Sequence, residues 1–425
     1  MSSLRVQLQE YGDFVAIPPE SFNALDIEIA NLRWQRMLDL PQAPFQLDTN
    51  AGVQRLRAVG VTGVIRVGQA DLEIVPKFLG SGHPKWRSAF WKILLSASKS
   101  IHDELPTQAS PGRDNSFIEF LADLFISSYF TGSARGLPRT YHTVKNKGFV
   151  LKGSFDAGRA MDFLVEPWRV PYLADVLSED TQLARLLRWA AARLKGLVSS
   201  SNRGRLLHNI LDDLSHVGRL PPHLIDARKI HLGAQHRGLE MALDIGILLL
   251  EGSGLAHENG NLELPGFLWR SSTVYEEFVY SVCQEVAADH GLSVSKANYP
   301  FGEVVSGIGT RLLTIPDIVF RDKFGATKAV ADAKYKQFNA SGRPVPSDTY
   351  QMITGGHVLG CSHVSLIYPF GEHRERTTWR LESKLGGDDI FLSALHINPM
   401  DILYDQGRKS VGEPISKWLA DSCRG

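Results

Sequence analysis

Two acids and a lysine lie in a stretch of sequence that otherwise reads as a pair of buried strands. The stretch PDIVFRDKFGATKAVADAKYK covers residues 316–336 and contains Asp317, Asp332 and Lys334. A turn at its central Phe-Gly pair would place Asp317 directly opposite Asp332 in an antiparallel ladder, with Cβ atoms ~5 Å apart. Lys334 would share their face, because side chains alternate along a strand.

This set of side chains could hydrolyse a phosphodiester with the help of a metal ion. Two adjacent carboxylates repel, so one must take a proton or a cation must lie between them. Oxygen ligands suit a hard ion such as Mg²⁺, which can activate a water molecule and neutralise charge on phosphate. Lys334 could orient that water and stabilise developing charge. The alternative is that Asp332 and Lys334 are surface charges on the wet face of an edge strand.

An upstream helix offers a further acid to the same site. In SSTVYEEFVYSVCQEVAADHG, residues 271–291, the helical period places Glu276 at the edge of the apolar face and Glu277 away from it. Glu276 can therefore reach inward toward a metal ion. The same spacing also lets Glu276 close a capping box with Thr273.

A downstream helix offers an amide. The stretch PSDTYQMITGGHVLG predicts a helix that begins at Ser347 or Asp348 and carries Gln351 in its first turn. The N–H groups and dipole at that end of a helix favour an anionic ligand. The alternative is that Gln351 is an exposed first-turn residue without a role in the chemistry.

The rest of the chain predicts a multidomain α/β protein of 425 residues. Residues 1–165 are mixed α+β, and GVIRVGQADLEIVPKF within them has a hairpin pattern. Residues 166–266 form a helical middle region with apolar stripes. Residues 267–425 predict a compact α/β unit that contains the acids and the lysine.

Basic residues concentrate between residues 131 and 160, where six of them stand against one acid, Asp156. The six are Arg135, Arg139, Lys145, Lys147, Lys152 and Arg159. The sequence KNKG predicts a turn between two extended segments. Two readings remain open, a solvated basic hairpin or a contact to a partner protein or a phosphate backbone.

Composition excludes several classes of protein. Lysine plus arginine and aspartate plus glutamate both number 46, so the chain is not a strongly basic DNA-coating protein. Its three cysteines form no disulfide framework and fit a reducing compartment. The start lacks a signal-peptide profile, and the longest apolar run is too short to cross a bilayer. We therefore expect a cytoplasmic protein without a membrane partner, and the missing P-loop motif predicts that it binds no nucleotide.

Several of these stretches together resemble a known family. PD at 316–317, DAKYK at 332–336, YEEFV at 275–279 and DTYQM at 348–352 resemble the PD-(D/E)xK nuclease domain of McrC, the cleavage subunit of McrBC-type restriction systems. The hairpin that ends in a Pro-Lys pair and the stretch GLPRTYHTVKNKGFVLKGSFD resemble further landmarks of that family. The chain departs from the family pattern at Ser154, where an arginine is expected.

The resemblance implies a C-terminal restriction-endonuclease-like domain with Asp317, Asp332, Lys334 and Gln351 as catalytic residues. It implies Mg²⁺, with Mn²⁺ able to substitute, on Glu276 and the two aspartates. The expected partners are double-stranded DNA and an AAA+ GTPase ring like McrB, which the region of residues 1–165 would bind and stimulate. One rival is a nuclease subunit whose motor reads unmodified DNA. Another is a non-catalytic adaptor on DNA that activates the ring.

Overall fold

The described residues form two compact units, which we treat separately. The computed structural model describes residues 4–18, 22–50, 52–79, 85–97, 117–252, 266–296, 298–302, 312–336, 338, 342–369, 376–382, 389–404 and 406–422. The first unit combines the described residues up to 97 with those from 266 onward, and the second consists of residues 117–252. No helix among these ranges is both long enough and apolar enough to cross a membrane.

The N-terminal part of the first unit contains two small sheets and two helices. Its elements are β1 (Leu4–Gln9), β2 (Val15–Ala16), α1 (Ala24–Met37), β3 (Phe45–Asn50), β4 (Val53–Ala58), β5 (Val61–Val67), β6 (Ala70–Val75) and α2 (Trp86–Ala97). The predicted hairpin is confirmed, since β5 and β6 pair antiparallel and Val67 lies opposite Ala70. Helix α1 begins with a capping box between Asn23 and Asp26, and it buries Trp34 against the core of these sheets.

The second unit contains a three-stranded sheet and several packed helices. Its elements are α3 (Phe117–Ser133), β7 (Thr140–Gly148), β8 (Ser154–Phe155), α4 (Ala160–Val165), β9 (Val170–Ser178), α5 (Gln182–Leu197), α6 (Ser201–Asp213), α7 (Leu224–Ala227) and α8 (Glu240–Gly252). Helix α5 buries the apolar stripe predicted from the sequence, including Leu186, Leu187 and Leu194. A buried carboxylate on α3, Glu119, forms an ion pair with Arg203 on α6 at 3.1 Å.

The C-terminal part of the first unit surrounds a six-stranded mixed sheet of described strands. Its elements are β10 (Gly266–Arg270), α9 (Ser271–Asp289), β11 (Ser293–Ser295), β12 (Tyr299–Gly302), β13 (Leu312–Thr314), β14 (Ile318–Arg321), β15 (Thr327–Ala333), α10 (Pro346–Val358), β16 (His363–Pro369), β17 (Thr377–Leu381), β18 (Ile390–Ile397) and α11 (Gly407–Ser422). The strand order is β11-β14-β15-β16-β18-β17. Met352 of α10 packs with Val330 on one face of this sheet. Trp418 of α11 contacts Phe320 on the other, with ring centroids 6.0 Å apart.

The mixed α/β character expected from the sequence is confirmed, but the division into units differs from the predicted boundaries at 165 and 266. The physical reason is a strand that joins distant parts of the chain. Strand β10 pairs antiparallel with β5, so Leu268 lies opposite Gly63 in the sheet that also holds β1 and β6. An added Cβ at Gly63 would lie 2.1 Å from the backbone oxygen of Phe267, so this pairing requires glycine there. The first hundred residues therefore share a unit with the C-terminal region.

Two further sequence predictions are wrong in detail. The region of residues 166–266 is not helical at its start, because β9 occupies residues 170–178. The sequence KNKG is not a turn, because Lys145 and Lys147 continue β7 as far as Gly148. Strand β7 pairs along its whole length with β9, so its antiparallel partner comes from residues beyond the predicted hairpin.

Candidate active site

Asp332 lies in a central strand of the six-stranded sheet. Strand β15 pairs with β14 on one side and with β16 on the other, where Asp332 lies opposite Leu366. The side chain of Asp332 is buried. The alternative of a wet edge strand is therefore wrong for Asp332, and a carboxylate at this depth needs partners.

Asp317 is held beside Asp332 by the backbone of the neighbouring strand. The predicted register is confirmed for three residue pairs, in which Ile318, Val319 and Phe320 lie opposite Ala331, Val330 and Ala329. A bulge follows at Arg321, beyond the pairs that matter here. Asp317 immediately precedes this ladder, and its Oδ2 accepts a hydrogen bond of 3.1 Å from the N–H of Ala333.

Lys334 contacts both the acid and the amide proposed from the sequence. Its Nζ lies 2.5 Å from Asp332 Oδ2 and donates to Gln351 Oε1 at 2.9 Å. The N–H of Lys334 donates to Ile367 O at 2.9 Å, so the strand pairing with β16 continues past the end of β15. The ammonium group therefore has defined partners on the face of the sheet that carries Asp332.

Gln351 belongs to this cluster, although the helical argument for it was wrong. Helix α10 begins at Pro346, so Gln351 lies in its second turn, beyond the terminal N–H groups that favour anions. Its side chain is half-buried, and Nε2 donates to Asp332 Oδ1 at 3.2 Å. Gln351 thus bridges Asp332 and Lys334 and is not an exposed first-turn residue.

Helix α10 adds one acid that sequence reasoning missed. Asp348 is buried, and its carboxylate lies 2.6 Å from Lys336 Nζ and 3.8 Å from Lys334 Nζ. The spacing of Asp348 and Gln351, three residues apart on one helix, could have indicated that both face the same strand. Asp348 contributes negative charge near Lys334.

Glu276 approaches the cluster from α9. This helix begins at Ser271 with Arg270 as its N-cap, so Thr273 is not at the cap position and the capping-box alternative is wrong. Glu276 is half-buried, whereas Glu277 is exposed. Burial first, and then the negative charges of Asp317 and Asp332, raise the pKa of Glu276 to about 7.

A second lysine beside the acids was also missed. Lys296 Nζ, on a half-exposed side chain that follows β11, lies 3.6 Å from Asp317 Oδ1. No motif surrounds this residue, and only the pairing of β11 with β14 brings it close. The two aspartates therefore each have a lysine partner, Lys296 for Asp317 and Lys334 for Asp332.

The charges of the cluster define what it can do chemically. Burial and the nearby Asp317 raise the pKa of Asp332 above its ordinary value. Burial acts to lower the pKa of Lys334, but the attraction and hydrogen bond of Asp332, with the charges of Asp348 and Asp317, outweigh it and raise that pKa. Lys334 is therefore a cation at neutral pH and suits charge stabilisation better than proton abstraction.

The donor set fits a hard divalent cation. No group of three or more His, Cys, Asp or Glu side chains in the described ranges is arranged to hold a metal ion. Mg²⁺ commonly takes only one or two carboxylates and completes its shell with water and phosphate oxygens. The raised pKa values of Asp332 and Glu276 arise partly from negative charge on Asp317, which a divalent cation would offset.

Fewer of the six basic residues between 131 and 160 can bind a partner than their number suggested, because half of them form ion pairs within their own unit. Arg139 forms an ion pair with Glu179 at 2.6 Å, and Lys147 forms one with Glu166 at 3.1 Å. Arg159 pairs with Asp162 in the same way. Acids that follow in the sequence thus neutralise half of the cluster, whereas Arg135, Lys145 and Lys152 form no ion pair with a described residue.

The same segment exposes an unusual amount of apolar surface, which sequence reasoning missed. We call residues 140–178, which form β7, β8, α4 and β9, the arm. Eight large apolar side chains between its two long strands are exposed, namely Phe149, Val150, Leu151, Phe155, Met161, Leu164, Val165 and Trp168. Exposed apolar residues concentrated in this way mark interaction sites.

Comparisons with known proteins found a matching family and solved structures with a similar chain. Residues 56–369 match the family described as McrBC 5-methylcytosine restriction system component. A chain of a refined half-complex from a tetradecameric assembly of Thermococcus gammatolerans McrB AAA+ hexamers with bound McrC is similar in fold. It shares 15% identity with a TM-score of 0.63, and the match covers 99% of each chain.

A chain of the Thermococcus gammatolerans McrBC complex also matches, with 15% identity and a TM-score of 0.47 over 66% of this chain and 88% of that chain. A search of curated proteins found no match. The family match spans well over half of the 425 residues and includes Asp317, Asp332, Lys334 and Gln351. The chain therefore belongs to the McrBC 5-methylcytosine restriction system component family, as a subunit of the McrC type.

Proposed function

We propose that this chain is a Mg²⁺-dependent DNA endonuclease, the cleavage subunit of a modification-dependent restriction complex. The observation that carries the proposal is the contact between Lys334 and Asp332 on a central strand, with Asp317 on the adjoining strand and Gln351 bridging the pair. This arrangement supports a PD-(D/E)xK type of nuclease domain. The family to which the chain belongs supports a restriction complex as its setting.

Asp317 and Asp332 would hold the metal ion, and Glu276 would contribute its oxygen through a water molecule of the ion's shell, since no three acids of the described ranges are arranged to bind it directly. When bound, Mg²⁺ supplies charge neutralisation for a phosphodiester and lowers the pKa of a water molecule. Lys334, positioned by Asp332 and Gln351, remains charged and stabilises negative charge that develops on phosphate oxygens. Lys296 lies where it can contact a neighbouring phosphate once a metal ion competes for Asp317.

We further propose that the chain docks on an AAA+ GTPase ring like McrB and stimulates its hydrolysis. The arm supports this, since its exposed apolar side chains are suited to a protein partner, as are Lys145 and Lys152, which form no ion pair with a described residue. The solved structure that contains a chain similar in fold to this one is a complex of McrB AAA+ hexamers with bound McrC. We expect this chain to dock on a ring of that kind. Arg135, Lys145 and Lys152 are the basic residues that we expect to contact the partner or DNA.

The ring would also supply most of the affinity for DNA. The chain carries equal numbers of basic and acidic residues, so it gains little from counterion release on duplex DNA. A nuclease of this kind should cut poorly alone and should depend on the nucleotide used by its partner. The methylated base would then be read by the ring and not by this chain.

The experiment compares three mixtures on long duplex DNA with Mg²⁺. They are the purified chain, the chain with its ring and GTP, and the chain with its ring and a non-hydrolysable GTP analogue. We expect efficient cleavage of modified DNA only in the second mixture. Efficient cleavage by the chain alone would reject the dependence on a partner.

Methylated and unmethylated substrates distinguish the proposed function from its rivals. If the complex cleaves unmodified DNA equally well, that result would favour the rival in which the motor reads a feature other than the modified base. Stimulated GTP hydrolysis without any cleavage, at all tested Mg²⁺ and Mn²⁺ concentrations, would favour the non-catalytic adaptor. The intact set of Asp317, Asp332 and Lys334 argues against that last outcome.

A further inference from the structure

A buried acid from the N-terminal segment contacts the residue that follows Lys334. Glu10 comes directly after β1 and is 1% exposed. The hydroxyl of Tyr335 donates a hydrogen bond to Glu10 Oε2. The same carboxylate oxygen accepts the N–H of Lys77 at 3.1 Å. One buried oxygen thus links β1, the Pro-Lys pair after β6 and the end of the strand that carries Asp332.

The ring of Tyr335 is also enclosed. Its centroid lies 5.7 Å from the ring of Phe78 and 5.8 Å from the ring of Tyr275 on α9. Lys77 Nζ lies 4.4 Å from the Tyr335 ring centroid and 4.7 Å from that of Tyr11, so the ammonium contacts two aromatic faces. Rotation of Tyr335 would break several of these contacts at once.

This enclosure acts on the backbone next to the catalytic lysine. Tyr335 is anchored by Glu10, Phe78 and Tyr275, and none of these is among the described side-chain partners of Lys334. The N–H of Lys334 is already bound to Ile367 O, and the hydroxyl of Tyr275 donates to that same oxygen at 3.4 Å. The segment of residues 334–335 is therefore held both by its backbone and by the side chain of Tyr335.

We propose that Glu10 and Lys77 are positioning residues for DNA cleavage, which act through Tyr335 to hold Lys334 in place. Neither touches the cluster of Asp332, Lys334 and Gln351. Displacement of a catalytic group by about 1 Å can cost about a hundredfold in rate. The inference gives the N-terminal segment a part in the chemistry, and it rests on the proposed nuclease function.

The chemistry of Glu10 supports a specific role. Burial raises the pKa of Glu10, while the hydrogen bonds from Tyr335 and Lys77 act in the opposite direction. A buried carboxyl group costs free energy unless it is hydrogen-bonded, and an apolar residue could fill the same space without that cost. What an apolar residue could not do is fix the direction of the Tyr335 hydroxyl.

The test measures single-turnover cleavage of modified DNA by the full chain with its ring, GTP and Mg²⁺. The variants are Tyr335→Phe, which keeps the ring, and Glu10→Ala, together with the double variant. We expect a rate between about tenfold and a hundredfold lower, with unchanged GTPase stimulation and an unchanged DNA concentration at half-saturation. The double variant should be no slower than the slower single variant, because both remove one contact. Glu10→Gln, which keeps an oxygen acceptor, should restore most of the rate.

A matched control separates positioning from general loss of stability. Glu73 lies on β6 of the sheet that also holds β1, and it forms an ion pair with Arg87 at 2.6 Å. Glu73→Gln should lower the melting temperature without changing the rate of the folded enzyme. An equal loss of rate in Glu73→Gln, or a wild-type rate in Tyr335→Phe, would overturn the inference. Absence of cleavage by the unaltered chain would instead count against the proposed function.

Discussion

The carboxylate of Asp317 accepts a hydrogen bond from the N–H of Ala333, the residue between Asp332 and Lys334. This bond crosses from the residue before β14 to the last residue of β15, beyond the final pair of their ladder, which is Ile318 with Ala331. The backbone of β15 thereby holds Asp317 next to the acid and the lysine. Asp317 has a structural role as well as its proposed chemical one, and substitutions can separate the two.

We predict that Asp317→Asn loses cleavage activity but keeps the fold. The amide oxygen of asparagine can still accept the N–H of Ala333, whereas the charge needed for a metal ion is gone. The rate should fall by roughly a hundredfold or more, as expected when a group that stabilises transition-state charge is lost. Asp317→Ala should lose the same activity and also melt at a lower temperature. The measurements are cleavage with the ring and thermal unfolding, and Asp317→Asn with a full rate would contradict the role.

We predict that Asp332→Ala and Lys334→Ala abolish cleavage while GTPase stimulation of the ring remains. Lys336→Ala is the matched control, because Lys336 lies two residues further on and its described ion pair is with Asp348 alone. It should change the cleavage rate less than threefold, a difference below about 1 kcal/mol. Equal losses in the Lys334 and Lys336 variants would show that general positive charge, and not the contact with Asp332, is what matters.

How much of this site the sequence predicted depends on how local its contacts are. The register of β14 and β15, which brings Asp317 to the end of β15, followed from alternation and one turn, because both strands are adjacent in sequence. Lys296 was missed because it reaches the cluster through strand packing that no local pattern reports, whereas the spacing of Asp348 from Gln351 on one helix was a signal that was not used. The contact between Glu10 and Tyr335 joins residues 325 positions apart, which spacing arguments cannot detect.

Prediction of the fold was limited in the same way, to patterns formed by residues close together in the sequence. Amphipathic helices such as α5 and the β5–β6 hairpin were predicted because their periodicity is local. The arm was misread because KNKG has turn-forming residues, and propensity does not outweigh a long pairing with β9. The pairing of β10 with β5 could not be predicted either, since it joins strands about 200 residues apart.

We predict that metal binding weakens as the pH falls through 7. The pKa of Glu276 is raised to about 7, so it is mostly protonated at pH 6 and mostly ionised at pH 8. A metal ion binds only the ionised form, so the apparent affinity should be about tenfold lower at pH 6 than at pH 8. Titration with Ca²⁺, followed by the rise in melting temperature, measures this without cleavage of DNA.

Two variants check the assignment of that pH dependence to Glu276. Glu276→Gln should bind Ca²⁺ more weakly at pH 8 and should lose most of the change between pH 6 and pH 8. Glu277→Gln is the control, because Glu277 is exposed on the same helix, and it should behave like the unaltered chain. Equal effects of the two variants would place the titrating group elsewhere.

We predict that the exposed apolar side chains of the arm contribute more to partner binding than its lysines do. Phe149→Ser with Val150→Ser removes two exposed side chains whose burial against a partner would stabilise the complex by several kcal/mol. Stimulation of the ring's GTPase should then require at least tenfold more of this chain, with DNA cleavage by the saturated complex unchanged. Leu220→Ser, which alters an exposed apolar residue of the same unit outside the arm, is the control.

Charge reversal tests the electrostatic part of the same contact. Lys145→Glu should weaken binding of the ring in low salt and less so in high salt, because exposed charges are screened. Lys147→Glu should weaken binding further, because Lys147 pairs with Glu166 and the reversal destabilises the arm by placing two acids together. The half-saturating concentration for GTPase stimulation, at two salt concentrations, measures both effects. Unchanged stimulation in all of these arm variants would show that the arm is a solvated surface and that the ring binds elsewhere.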